Sequence, residues 1–461
     1  MMLPLVLCFI PASHAQTSSG DIAEAQRLAW SKRFDEAERL YRQYLRRNPA
    51  SREAAVGLAQ VVLWKRRYRE ARTLFLNLVR RNPADAEAME GAATAAYWEG
   101  DFRTAAREFS EVVRRHPERQ FAQQSLSEIA AASRDSIRAT VDAVEDDQPY
   151  SLRRSELKAS LFTDPLTRWD VAVGSYHLDN PTLHTQRETP YVLIGSEYVM
   201  PWQRLTIGAS AGALRWPDQT VRPIGDITLQ LRTPNSSSVV ARVEHRESFY
   251  TATSVTTHVA VTRTVFGWSR DAPGSWIAGV EAGHLRYFDH NNGRYAQAFA
   301  LMPVMRRGET VISLGASAAL RDTAQSRFYL ESISSTLSTP DDFNYQYRGG
   351  YTPYWTPQHL REGRAIGILQ RPVGARITLK VQAEIGVAHD QAHAFGPSEG
   401  PQSLPAQVFE FDFRRTFYPR RIEGKLSVVI SDRYRLEGSI GRNTTVFYRA
   451  NEFRASLVRY R

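Results

Sequence analysis

Gly208-Ala209-Ser210-Ala211-Gly212 spells G-x-S-x-G, the pattern that holds a hydrolase serine on a strand-to-helix elbow. Small residues alternate through this stretch and no helical pattern follows it, so it reads as the interior of a strand. His284, Asp289 and His290 offer a second acid–base grouping on one hairpin. Neither H-E-x-x-H nor a calcium-loop pattern occurs. No catalytic residue, metal site or cofactor is therefore expected, and the protein is not expected to be an enzyme. The one cysteine, Cys8, lies in an apolar N-terminal stretch, so the rest of the chain has no thiol for nucleophilic or disulfide chemistry.

What remains is charge in alternation. In Arg376–Val387, Ile377, Leu379, Val381, Ala383, Ile385 and Val387 point one way, and Arg376, Thr378, Lys380, Gln382, Glu384 and Gly386 the other. Asp226, Thr228, Gln230 and Arg232 oppose Ile227, Leu229 and Leu231. Glu410, Asp412 and Arg414 oppose Phe409, Phe411 and Phe413. Glu423, Lys425 and Ser427 oppose Ile422, Gly424, Leu426, Val428 and Ile430. Short turns such as Thr233–Ser236 join these segments and no helix intervenes, which predicts an antiparallel meander over 151–461.

Strands of about ten residues suit a tilted bilayer crossing, and an open sheet in lipid would leave backbone groups unpaired. The expectation is a closed transmembrane β-barrel of about 14–16 strands. Trp202, Trp216, Trp268, Trp276, Tyr287 and Phe288 would form its interfacial belts. The polar rows would line a wet lumen through Asp226, Arg232, Glu244, Arg246, Arg376, Lys380, Glu384, Glu410, Asp412, Arg414, Glu423 and Lys425. Long segments near 334–350 and 389–403 would be extracellular loops or a plug.

The first part of the chain has a different period. Trp30, Trp64 and Trp98 stand 34 residues apart, as do Ala37, Ala71 and Ala105, the aromatics Tyr41, Phe75 and Phe109, and the pairs Asn48-Pro49, Asn82-Pro83 and His116-Pro117. That pattern reads as tetratricopeptide repeats (TPRs) over 16–135, about three helical hairpins and a capping helix near Arg119–Ser133, giving an α + β multidomain chain. Helices near Arg52–Lys65 and Tyr68–Arg81 form the second repeat, and proline ends each second helix. Gln26, Trp30, Gln60, Trp64, Tyr97 and Trp98 fall where TPR helices face their groove, and either pack between hairpins or meet a ligand.

Residues 1–15 read as a signal peptide with Ser13-His14-Ala15 before the cut, and 136–150 as a linker. Net charge is +10 and the isoelectric point about 9.7, with a mean hydropathy of −0.42. For an exported chain this favours anionic lipid headgroups, lipopolysaccharide or an acidic polymer as partners over nucleic acid.

The layout, with Gly57-Leu58-Ala59, Trp64 and the run Gly349-Gly350-Tyr351-Thr352-Pro353-Tyr354-Trp355-Thr356-Pro357-Gln358, resembles the TPR-plus-barrel exopolysaccharide exporters. These are the cellulose-export subunits (BcsC-like) and the poly-N-acetylglucosamine export porins (PgaA-like), with YaiO-type similarity in the repeats. Threonine replaces serine in the aromatic-Ser-Pro-Gln element, and the chain has far fewer repeats. The resemblance implies an outer-membrane conduit for an exopolysaccharide, with a loop element at Tyr354, Trp355 and Pro357. It also implies periplasmic TPRs that recruit polymer, scaffold or synthase components. The alternative is a translocator or assembly factor for surface lipoproteins or other proteins, which also join a small TPR module to a barrel.

Overall fold

The computed structural model describes residues 20–147, 150–180, 185–233, 236–249, 251–271, 275–332, 348–397, 408–445 and 449–461. The expected signal peptide at 1–15 lies outside them, as do most of 334–350 and the end of 389–403. The chain divides into two units, one of residues up to 134 with 162–168 and 199–204, and one of the remainder from Asp135 onward.

The helical unit contains α1 (Gly20–Trp30), α2 (Phe34–Arg47), α3 (Arg52–Trp64), α4 (Tyr68–Arg81), α5 (Ala86–Glu99), α6 (Phe102–Arg115) and α7 (Gln120–Ala132). These are three hairpins and a cap. Ala37, Ala71 and Ala105 are fully buried and let the helices of each hairpin approach. Tyr41 packs on Gly57, and Phe75 on Gly91 one repeat later, so the small residue in each third helix position accepts an aromatic from the hairpin before. Ser125 occupies the corresponding site in α7 and is buried. Ser51 and Asp85 cap α3 and α5 by accepting hydrogen bonds from Ala54 and Ala88. Arg52 binds Asp85 at 2.6 Å, and Lys65 and Arg67 both reach Glu38. Arg81 donates to the Pro49 carbonyl and Arg115 to the Pro83 carbonyl, each at 3.1 Å across 32 residues.

The β unit is one closed antiparallel barrel of 16 strands. Its ring runs β1 (Ser136–Asp146), β2 (Tyr150–Asp164), β3 (Thr167–Asn180), β4 (Thr185–Met200), β5 (Leu205–Arg215), β6 (Val221–Arg232), β7 (Ser237–Glu247), β8 (Ala260–Asp271), β9 (Ile277–Tyr287), β10 (Asn292–Arg307) and β11 (Thr310–Thr323). A hairpin, β12 (Phe328–Ser332) and β13 (Arg348–Tyr351), then leaves the ring. β14 (Gln358–Val373) and β15 (Ile377–Pro397) resume it. β16 (Val408–Phe417) and β17 (Arg420–Ser431) run in the same direction along β15, one wall strand broken at Tyr418-Pro419. β18 (Tyr434–Thr444) and β19 (Arg449–Tyr460) complete the wall. β19 pairs with β1 from Ser136↔Tyr460 to Asp146↔Ala450, which closes the barrel.

This corrects the linker expected at 136–150. Ile137, Ala139, Val141 and Ala143 form an outward row and Arg138, Thr140 and Asp142 an inward one. Two alanines weaken the apolar contrast, and Glu145-Asp146-Asp147 mimics a solvated tether. A one-turn helix, α8 (Ala252–Thr256), also interrupts the expected helix-free meander between β7 and β8.

Both barrel termini reach the same rim, where the Arg461 amide donates to the Asp135 carbonyl. Exposed aromatics ring the outer surface at strand ends on that rim: Trp169, Tyr198, Trp268, Trp276 and Tyr434. Phe288 and Tyr418 are exposed toward the other end. Such girdles mark the two membrane interfaces. Trp216 and Tyr287 do not belong to them, being buried inside the barrel, and the Trp202 side chain lies outside the described residues.

Substituting Gly91→Ala raises helix propensity but sets a Cβ 2.5 Å from the Phe75 ring. Overpacking is expected to win, with a net loss of about 1–2 kcal/mol. The check is a lower thermal midpoint of the helical circular dichroism signal, with the β signal unchanged.

Candidate functional site

Strand alternation sorts the barrel residues into two rows. The outward row is apolar: Ile227, Leu229 and Leu231 on β6, Leu379, Ile385 and Val387 on β15, and Ile422, Leu426 and Ile430 on β17 are exposed. The inward row carries charges, which pair across strands. Arg364 reaches Glu384 at 3.0 Å, Arg138 reaches Glu437 at 2.6 Å, Arg421 reaches Glu452 at 2.8 Å and Lys158 reaches Asp170 at 3.0 Å. Asp142 accepts from both Arg154 and Arg454, joining β1 to its neighbours on either side.

Most expected lumen residues take this inward row. Asp226 accepts from Ser210 and lies 3.6 Å from Arg246, which places the G-x-S-x-G serine within a strand as a hydrogen-bond donor to a carboxylate. Glu244 stands near Arg242 and Arg263, and Glu423 lies 3.2 Å from Lys425. Lys380 and Arg232 sit on the inward rows of β15 and β6, and Glu384 also accepts from Gln382.

Two differ. Arg376 lies in the β14–β15 turn, before the strand begins at Ile377, because Gly374 takes a positive φ there. Arg414 is exposed on the outward side, since the inward positions of β16 are Arg415, which binds Asp390, and buried Phe417. The side chains of Glu410 and Asp412 lie outside the described residues. Arg263, Glu281, Tyr295, Arg321, Glu362 and Arg364 also take the inward row, with no clear signal in the sequence. Their outward partners are alanines and glycines, such as Ala296, Ala298, Ala316 and Ala318, so the alternation has little contrast.

At the rim opposite the termini, two loops fold inward. Val255 of α8 is fully buried against Leu178, Tyr191, Leu214, Trp216 and Ile224 from the inner wall, with Tyr176 and Phe249 around them. The second loop carries the Tyr354, Trp355 and Pro357 element. Tyr354 is 1% exposed and stacks on Tyr287 with centroids 4.0 Å apart. Its hydroxyl donates to Asp289 at 2.7 Å, which also binds Arg327 at 2.7 Å. Asn291 donates to the Tyr354 hydroxyl and to the Gln325 carbonyl. Thr356 accepts from the Arg327 amide, and Thr323 donates to the Pro357 carbonyl. Thr251 beside α8 donates to the Pro353 carbonyl, so the two loops hold each other. Of the expected acid–base grouping, Asp289 is thus committed to the loop, while His284 is exposed on β9 and His290 sits in a turn. Burial of Asp289 opposes its charge, but the bonds from Arg327 and Tyr354 outweigh that and hold the carboxyl below its usual range. Burial and the Asp289 contact push the Tyr354 phenol up.

In the helical unit, Trp30 is 62% and Trp98 41% exposed. Trp64 lies between Trp30 and Phe34, and Trp98 meets the edge of Tyr68. Gln26 donates to Glu53 at 3.1 Å and Gln60 is half-buried. Tyr97 packs on Phe102 and Phe109 and donates to Glu128 at 2.7 Å, so it serves the core between repeats. The indoles at the two ends of the stack thus remain open to a partner.

Residues 31–96 match the tetratricopeptide repeat family. Among solved structures, a bacterial polysaccharide outer membrane secretin aligns over 72% of this chain and 99% of its own, with 8% identity and a TM-score of 0.51. A loop-deletion mutant of OmpT from Vibrio cholerae aligns over 71% of this chain and 97% of its own, with 9% identity and a TM-score of 0.35. MamA of Desulfovibrio magneticus RS-1 aligns over 24% of this chain and 62% of its own, with 20% identity and a TM-score of 0.23. No curated protein matches the sequence. At such identity the secretin match shows the fold alone, and in this chain a TPR-like helical region precedes a barrel resembling those of outer-membrane proteins.

Because the Asp289 pKa is depressed, its contribution to loop docking is complete above the ordinary carboxylate value near 3.9 and is lost as pH falls through the depressed value. Acidification from pH 6 is expected to red-shift the Trp355 emission, taken as the difference between wild type and Trp355→Phe. In Asp289→Asn that shift is present already at pH 6, with a docking loss of about 2 kcal/mol.

Proposed function

We propose that the protein is an outer-membrane conduit for an exopolysaccharide, with its TPR module recruiting polymer or partner proteins from the periplasm. The observation that carries this is the barrel wall, apolar outside and lined within by ion pairs spread over many strands. A flexible hydrophilic polymer needs many weak contacts and no single tight site, and distributed paired charges supply that. Tyr295 and Trp355, half-exposed on the inner face, offer flat apolar surfaces on which sugar rings stack.

The rim of short turns is the one from which β1 starts, and barrels of this type turn that rim to the periplasm. The TPR module precedes β1, so it lies on the periplasmic side in this reading. The secretin that shares the fold is named for a polysaccharide, which supports the same cargo. A scaffold or synthase partner in the periplasm completes the path, and the exposed Trp30 and Trp98 are the contacts for it or for the polymer.

Deletion of the gene is expected to abolish surface glycan while the cell accumulates polymer in the periplasm. Trp30→Ala with Trp98→Ala is expected to lower export several-fold without loss of the barrel from the outer envelope. Normal glycan in the deletion strain together with missing surface lipoproteins would replace this reading with protein delivery.

A further inference from the structure

Beneath the inward-folded Trp355 lies a cavity of about 170 Å³, lined by Arg263, Tyr287, Tyr295, Arg321, Tyr354 and Trp355 among others. Its floor is strand residues and its roof is the loop. The Arg321 guanidinium sits 5.0 Å from the Trp355 ring centroid and 5.6 Å from that of Tyr295. Among the described residues it makes neither a hydrogen bond nor an ion pair. That sets it apart from the inward guanidiniums around it: Arg364 has Glu384, Arg327 has Asp289 and Arg415 has Asp390.

The acids near Arg321 are committed elsewhere. Asp322 takes Arg294 at 3.0 Å at the edge of the cavity, Glu362 takes Arg364, and Glu281 accepts from the Tyr295 hydroxyl at 2.7 Å. The second cation, Arg263, lies with its Nε 3.4 Å from a Glu244 oxygen, and that nitrogen completes no hydrogen bond. A half-buried cation without a counter-charge is costly, and a fold retains one where a ligand supplies the missing anion.

We propose that this cavity binds the carboxylate of an acidic sugar unit, with Arg321 as the principal cation and Arg263 as the second. This rests on the conduit reading and names its cargo as an anionic glycan. A guanidinium meets a carboxylate through two parallel N–H···O bonds, and Arg321, with only the Trp355 and Tyr295 rings close to it, keeps its donors open to do so. The volume, that of roughly five waters, admits the carboxylate and the carbons beside it rather than a whole chain. The rest of the sugar meets ring faces that are already fixed: Tyr287 by stacking on Tyr354, and Tyr295 by its bond to Glu281. Because the roof is the loop held by Asp289, the site exists only while that loop is docked.

The experiment is binding of hexagalacturonate, of monomeric galacturonate and of neutral cellohexaose to the detergent-solubilised full chain, read by calorimetry. Hexagalacturonate is expected to bind about tenfold more tightly than cellohexaose. Arg321→Gln is expected to remove that preference, and Arg321→Lys to keep part of it. Folding of each variant is confirmed by heat-modifiable gel mobility. If Arg321→Gln does not fold, Arg263→Gln, expected to weaken hexagalacturonate alone, takes its place. Equal binding of the charged and neutral hexamers, or an unchanged preference in folded Arg321→Gln, overturns the inference. Galacturonate binding as tightly as its hexamer overturns the glycan as the source of the carboxylate. The two readings separate cleanly. Lost glycan secretion on gene deletion without charge-selective binding removes only this site, whereas charge-selective binding with normal secretion removes only the conduit.

Discussion

Hydrogen bonding between the first and last strands is the interaction on which the β unit depends. β1 and β19 pair along their whole length, and without that ladder a row of amides and carbonyls on each would face hydrocarbon. Closure fixes everything downstream. It makes the strand number even for a chain whose ends share a rim, and it divides each strand into a row for lipid and a row for water. It also brings Asp142, Arg154 and Arg454 together across the seam, so the last strand is recognised by side chains as well as by backbone.

The interior is not uniform along its axis. The inward rows are charged and mutually paired along most of the wall. Toward the rim opposite the termini aromatic and aliphatic side chains join them, and two loops settle there. The loops are fixed by different means: α8 buries an aliphatic side chain, whereas the Tyr354 loop is held by a polar cluster around Asp289 and Asn291. Hydrophobic burial is indifferent to pH, and a carboxylate-centred cluster is not. The mouth therefore combines one anchor that tolerates acid with another that does not.

The helical unit was nearly all legible because a TPR repeats its instructions. Ala37, Ala71 and Ala105, with Tyr41, Phe75 and Phe109, state the same pattern three times, and each second helix ends two residues before its proline. The barrel as a class was legible from alternation, and so was the polar face of β6, β15 and β17. What the sequence hid has physical causes. β1 is alanine-diluted, so its two faces look alike. Trp216 and Tyr287 stand at strand ends, where an aromatic suits a lipid interface and a loop-covered interior equally well, and only the fold of distant loops decides between them. The local pattern around Arg414 points it inward, but its strand takes its parity from Arg415 and Phe417, which pair with Asp390 and Ala388 of β15. The cavity at Arg321 joins β8, β9, β10, β11 and a loop over thirty residues further on, a juxtaposition no local pattern contains.

The arginine clasps of the helical unit carry a consequence for how such a chain evolves. Arg81 to Pro49 and Arg115 to Pro83 are the same joint, made at the same reach between successive hairpins. A duplicated segment of 34 residues would arrive with its own arginine, its own proline carbonyl and its own glycine seat for the preceding ring. The array can thus lengthen or shorten by whole modules with no redesign of its neighbours, while the barrel, bound by closure, cannot gain or lose a single strand without reopening its wall.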